Sequence, residues 1–351
     1  MDVMKALGVL AIVLAHSGPP PVVVEMVSTY YIAIFLFVSG YFYKEAYSDD
    51  LRLLATRRLK ALYIPFVAWN LGYLALHNVF FRLNIYSSKV GYLEQVSHLL
   101  SVRNTVGAAL RTLTLTATEQ MAGALWFLIT LITVTSVFGV TSWLCRRAAG
   151  KYAEYARAAA VLAIFAVGYA NQTLITWPAF INTSLVGVLI FYGGFLFKRV
   201  ESRLPLNAIL AATAALIVFL GRGTVVMGAN HYRGPLILVV VVAAGVYANL
   251  YVATRLQDVA ILNYLGRNTI FVVATHFLAF KLVSTVMIST QSLPPYCLAK
   301  FPVITGDGGW WIAYFACGVL VPLGIKYVID VVRSHGTRVL SRHVDAEESG
   351  I

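Results

Sequence analysis

The first apolar stretch, MDVMKALGVLAIVLAHSGPPP, holds Asp2, Lys5 and His16 among small and aliphatic residues. On a helix, the spacing of Lys5 and His16 leaves them within about 20° of each other and about 16 Å apart along the axis. Asp2 falls within about 40° of the same line. Ionisable groups are expensive to hold inside an apolar span, and they mark sites of chemistry or transport. Histidine is suited to taking and returning a proton near neutral pH once a hydroxyl is within hydrogen-bond reach. The plainer readings are a lysine anchoring the span at its interface and a helix-end histidine bonded to nearby backbone. The shared face favours chemistry.

Other residues invite the same test. His276, in FVVATHFLAFKL, falls well inside a later apolar run and reads either as an interhelix hydrogen-bond partner or as part of a site. Lys281 beside it reads as an anchor near the outer end. Asn70 and His77 read as packing or lining groups, and His98, His231, His335 and His343 as solvent-exposed. In RRLKALYIP, Arg57, Arg58 and Lys60 form a cationic patch. It either sets topology or seats the phosphates of an anionic ligand. No Gly-rich phosphate loop, zinc-ligand spacing, HExxH or GxSxG occurs, so no metal and no hydrolase elbow is expected. Cys145, Cys297 and Cys317 form no metal pattern and demand no disulfide.

The elements that must position these groups are membrane helices. The chain has 351 residues, 59% hydrophobic and 12% charged, with a mean hydropathy of +0.77. That is too little charge for a soluble surface, so an all-α, polytopic membrane bundle is expected. About ten segments are long enough to span, near 2–17, 24–43, 60–81, 122–143, 157–175, 180–198, 205–221, 234–253, 264–287 and 310–333. The net charge of +12 lies mostly in short connections, which fits topology and excludes nucleic-acid binding. Lys44, Arg52, Arg57, Arg58, Lys60, Arg146, Arg147, Lys151, Lys198, Arg199 and Arg203 all fall on one side if both termini are cytoplasmic. Arg103 and Arg111 fall in the one long exterior loop, 82–121. The basic start and the small residues Ala15 and Ser17 also suit a cleaved secretory signal. A second apolar run follows at once, which favours a retained helix. One transmembrane domain over 1–335 and a short cytoplasmic tail over 336–351 are expected.

In their order, these motifs resemble the membrane acyltransferases of family 3, which include bacterial polysaccharide O-acetyltransferases. DVMKALGVLAIVLAH is similar to the family's opening Asp, basic residue and His, with Lys5 where many members carry Arg. FLFVSGYFY resembles its aromatic SGY motif at Phe35, Phe37, Ser39, Gly40 and Tyr41. Arg57, Arg58, Lys60 and Pro65 resemble its basic cluster, with Ala61 where some members have a second Arg. ALWFL matches a Trp-Phe-Leu motif at Trp126, and LGRNTIFVVATH a late motif with Thr269 in place of Ser. Together these span most of the chain.

The resemblance implies transfer of an acyl group, usually acetyl, from cytosolic acetyl-CoA or another acyl-CoA to a hydroxyl of a glycan or lipid-linked sugar. The resemblance also implies a multi-pass protein of the bacterial cytoplasmic membrane, with polysaccharide-assembly machinery such as that for exopolysaccharide as a partner. On this reading His16 is the general base or acyl carrier, and Lys5, Arg57, Arg58, Lys60 and Ser39 hold the donor. Trp126 and His276 contact the acceptor, while Asp2 and Asn268 support the site. The pantetheine arm would cover the Lys5-to-His16 separation, placing His16 toward the outer side. The alternative is a transporter or flippase for a lipid-linked sugar, and a further one is a non-catalytic scaffold. Paired half-helix breaks would favour transport, and the sequence has no such pair of Gly/Pro interruptions.

Overall fold

The computed structural model describes residues 1–90, 96–172 and 179–348, with side-chain surroundings given as far as Ser334. Each apolar segment expected from the sequence is largely helical where described, with interruptions at 29–30 and Asn268 and a non-helical start at 205–207; the end of 157–175 lies partly outside the described residues. The first helices are α1 (Asp2–His16), α2 (Pro21–Ser28), α3 (Tyr31–Tyr41), α4 (Ala46–Asp49), α5 (Leu51–Arg58) and α6 (Ile64–Arg82). A π-helical turn over Leu59–Tyr63 joins α5 to α6. Next come α7 (Val102–Leu113), α8 (Trp126–Ala149), α9 (Ala153–Ala170), α10 (Ala179–Val200) and α11 (Ala208–Leu220). The last are α12 (Pro235–Arg255), α13 (Ala260–Arg267), α14 (Thr269–Gln291) and α15 (Trp310–Glu348), which carries helix into the expected tail. A two-residue hairpin pairs Val225 with Tyr232.

Among the described residues, seven stretches are long and apolar enough to cross a membrane, and one of them, Gln120–Ala170, contains both α8 and α9. The chain therefore forms an all-α membrane bundle. The second span is broken: α2 ends at Ser28 and α3 resumes at Tyr31.

Helix α1 packs against α3, α12, α13, α14 and α15. It buries Val3, Met4, Ala6, Val9, Ile12 and Val13. Its N-terminal end is gripped at Gly266 of α13, where an added Cβ would collide with the Asp2 carbonyl. Helices α3 and α10 cross at two reciprocal glycines. A Cβ on Gly40 would strike the Phe191 carbonyl, and one on Gly194 would strike the Phe37 carbonyl. Small residues at such crossings let backbones approach closely, which gives the SGY motif a packing reason.

At the far end of α3, Arg146 bonds Glu45 at 2.9 Å and Asp49 at 2.5 Å, while Arg199 bonds Glu45 at 2.6 Å and Glu154 at 3.0 Å. Arg157 is fully buried between Glu45 and Glu154.

The expected exterior loop, 82–121, is not simply a loop. Leu100 exchanges hydrogen bonds with Asn78, and Tyr63 Oη donates to the Leu113 carbonyl at 2.8 Å. Helix α7 therefore runs back alongside α6, from near its far end to the level of its first turn. Serine 101 starts α7 by accepting from the Asn104 N–H. Residues 91–95 of this segment lie outside the described residues.

Candidate active site

Two helices distant in sequence bring His16 and His276 together, with His16 Nδ1 3.1 Å from His276 Nε2. The rings are nearly parallel, their centroids 5.3 Å apart. Hydrogen-bond logic orders the pair. His276 Nδ1 lies 2.8 Å from the Val273 carbonyl, which only accepts, so that nitrogen carries the hydrogen. In a neutral ring Nε2 then offers its lone pair, and His16 Nδ1 donates into it. His16 Nε2 is left as the basic nitrogen. This is the arrangement of an oriented general base.

By helix rise, His276 lies about 10 Å from the Thr269 end of α14 and about 22 Å from the other end. The pair therefore sits between the two ends of α14. His276 is fully buried.

His16 lines a cavity of about 410 Å³ with Thr118, Gln120, Gly123, Trp126, Phe277 and Phe301, among others. Phe277 packs on His16 with ring centroids 4.9 Å apart and on Phe301 at 4.5 Å. Phe301 and Pro302 come from the connection between α14 and α15. Lys281, read as an anchor, holds that connection instead: Nζ donates to the Leu298 and Lys300 carbonyls at 3.0 and 2.8 Å.

Gln120 escaped the sequence reading. It is 2% exposed, and neither its Nε2 nor its Oε1 has a partner among the described residues. A buried amide without partners costs about 1–3 kcal/mol, so its place on the wall of the histidine cavity points to use. Its neighbour Glu119 fixes this turn. Glu119 Oε1 lies 3.0 Å from His77 Nδ1, and Oε2 accepts from Tyr86 Oη at 2.9 Å and from the Gln120 N–H at 2.6 Å. The Glu119 N–H donates to Asn70 Oδ1 at 2.7 Å. Burial, reinforced by the Glu119 carboxylate, pushes the Tyr86 hydroxyl far above its ordinary range, so it stays a donor. Asn70 and His77 thus pack as expected, in a network that presents Gln120.

The other expected residues are placed as follows. Trp126 opens α8 on the cavity wall. Lys5 pairs with Asp2 at 2.8 Å, both partly exposed. Arg57 and Lys60 are exposed and Arg58 is half-buried. Among the described residues this trio forms no ion pair, and Arg58 Nε is buried without a partner. Phosphate oxygens would suit such groups. Ser39 is half-buried on α3. Asn268 Nδ2 donates to the Tyr264 carbonyl at 2.9 Å between α13 and α14. No group of three or more metal-ligating side chains exists among the described residues.

The described residues form a multi-span helical bundle in which a histidine pair lines a cavity between helices. A family model for an acyltransferase domain, that of acyltransferase family 3, matches residues 1–330. The chain belongs to that family, and it is a multi-pass integral membrane protein. No curated protein and no solved structure matches it.

Proposed function

We propose that the protein is an acyl-CoA-dependent O-acyltransferase that acetylates a cell-surface or lipid-linked glycan. The observation carrying this reading is the His16–His276 pair, with its basic nitrogen toward a cavity that also holds an unpaired buried amide. His16 Nε2 takes the proton of the acceptor hydroxyl as its oxygen attacks the thioester carbon. The new C–O bond forms, and negative charge gathers on the former carbonyl oxygen, where Gln120 Nε2 donates. The C–S bond then breaks, and the departing thiolate recovers the proton from His16. The products are an ester and free CoA. His276 positions the base, and Trp126 offers a face to the sugar ring.

Arg57, Arg58 and Lys60 would seat the donor's phosphates, with Ser39 along its path. Lys5, already held by Asp2, would add a cation near the same end. Asn268 would keep α13 and α14 in register beneath the pair. Ten spans are supported by counting α8 and α9 separately and adding the short helices α1 and α11. The cationic connections support cytoplasmic termini, the family resemblance supports the bacterial inner membrane, and the helical residues 336–348 would continue α15 into the cytoplasm.

Mass spectrometry of surface glycans from cells with and without the gene tests this. A loss of one acyl mass per repeat on deletion is expected, and identical spectra would contradict the proposal.

A further inference from the structure

Helix α7 lies at the depth of α6, and it is not apolar. It carries Arg103 and Arg111, which line one cavity of about 390 Å³ together with Asn104, Thr112, Thr118 and Glu119. Arginine at membrane depth must find a partner or a polar cavity. Neither guanidinium has an ion-pair partner among the described residues, and both stay accessible at the cavity rim. The one carboxylate lining the cavity, Glu119, is already engaged by His77, Tyr86 and the Gln120 N–H. The cavity thus carries surplus positive charge. Thr118 lines both this cavity and that of His16, so the two adjoin.

We infer that the α7 cavity is an anion-binding site, in which Arg103 and Arg111 grip a phosphate group of one of the two substrates as it reaches the histidine cavity. Two guanidinium forks suit phosphate oxygens bidentately. The phosphate comes either from the acyl donor's nucleotide or from a diphosphate linking the acceptor sugar to lipid. The substrates' identity rests on the function proposed above, but anion binding does not.

The test is titration of the full-length protein in detergent, first with inorganic pyrophosphate and then with acetyl-CoA. Arg103→Gln/Arg111→Gln should weaken pyrophosphate binding about tenfold or more. Because Arg57, Arg58 and Lys60 are assigned to the donor's phosphates, the pyrophosphate titration is repeated in an Arg57→Gln/Arg58→Gln/Lys60→Gln background, where the same loss on adding the α7 substitutions is expected. Arg103→Lys/Arg111→Lys keeps the charge but loses the fork, so partial weakening in a stable protein guards against misfolding of the Gln variant. If acetyl-CoA binding weakens in step, the phosphate is the donor's; if acetyl-CoA binding holds while pyrophosphate binding is lost, it is the acceptor's. Wild-type pyrophosphate affinity in both α7 variants would overturn the site. No transfer is measured, so this failure is separable from a failure of the acyltransferase reading.

Discussion

At the scale of residues, the account depends on which groups around His16 lack partners. His276 spends one nitrogen on the Val273 carbonyl and the other on His16, so it acts through His16. Gln120 is the reverse case, a buried amide with nothing to bond. If Gln120 served only the fold, its removal would destabilise the protein. If it serves the reaction, an apolar isostere relieves an unsatisfied amide and leaves stability unchanged or raised. Gln120→Met is therefore expected to keep the wild-type unfolding temperature in detergent while kcat falls about 10²–10³-fold, the usual loss for one oxyanion donor. A fall in unfolding temperature with kcat unchanged would assign it to packing. The histidines were legible in the sequence because imidazoles stand out in apolar runs. Their contact was not, because it joins helices at opposite ends of the chain. Gln120 was invisible for another reason. In TATEQMAGALW it looks like a solvated connection, and only the closure of Glu119 on His77, Tyr86 and Asn70 buries it.

At the scale of elements, hydropathy located the helices within a few residues, since lipid demands long apolar runs with their backbone bonds satisfied internally. It could not see the break between α2 and α3, where Thr29 Oγ1 bonds the Met26 carbonyl and the chain restarts at Tyr31. Nor could it see α7 fold back along α6, because an amphipathic, arginine-bearing helix has the composition of a surface loop. Glycines in the SGY and LGRN motifs have packing causes: Gly40 admits α10, and Gly266 admits the start of α1. Gly40→Ala is expected to cost about 1–3 kcal/mol through overpacking against the Phe191 carbonyl, read as a lower unfolding temperature of the purified protein. An unchanged temperature would mean that α3 and α10 can separate freely.

At the scale of the whole molecule, the bundle sets a gradient of chemistry along α1. Asp2 and Lys5 pair at one end, near the level of Gly266. His16 ends the helix within the bundle, under the connection that Lys281 holds down. Aromatic side chains, Trp126, Phe277 and Phe301, line the cavity around His16. The function proposed above assigns transfer to one basic nitrogen, Nε2 of His16. The most direct measurement is acceptor-dependent release of CoA thiol from acetyl-CoA in proteoliposomes, comparing wild type with His16→Ala at matched insertion. A loss of about 10²-fold or more is predicted, in line with removal of a general base. Release by His16→Ala at the wild-type rate would contradict the account.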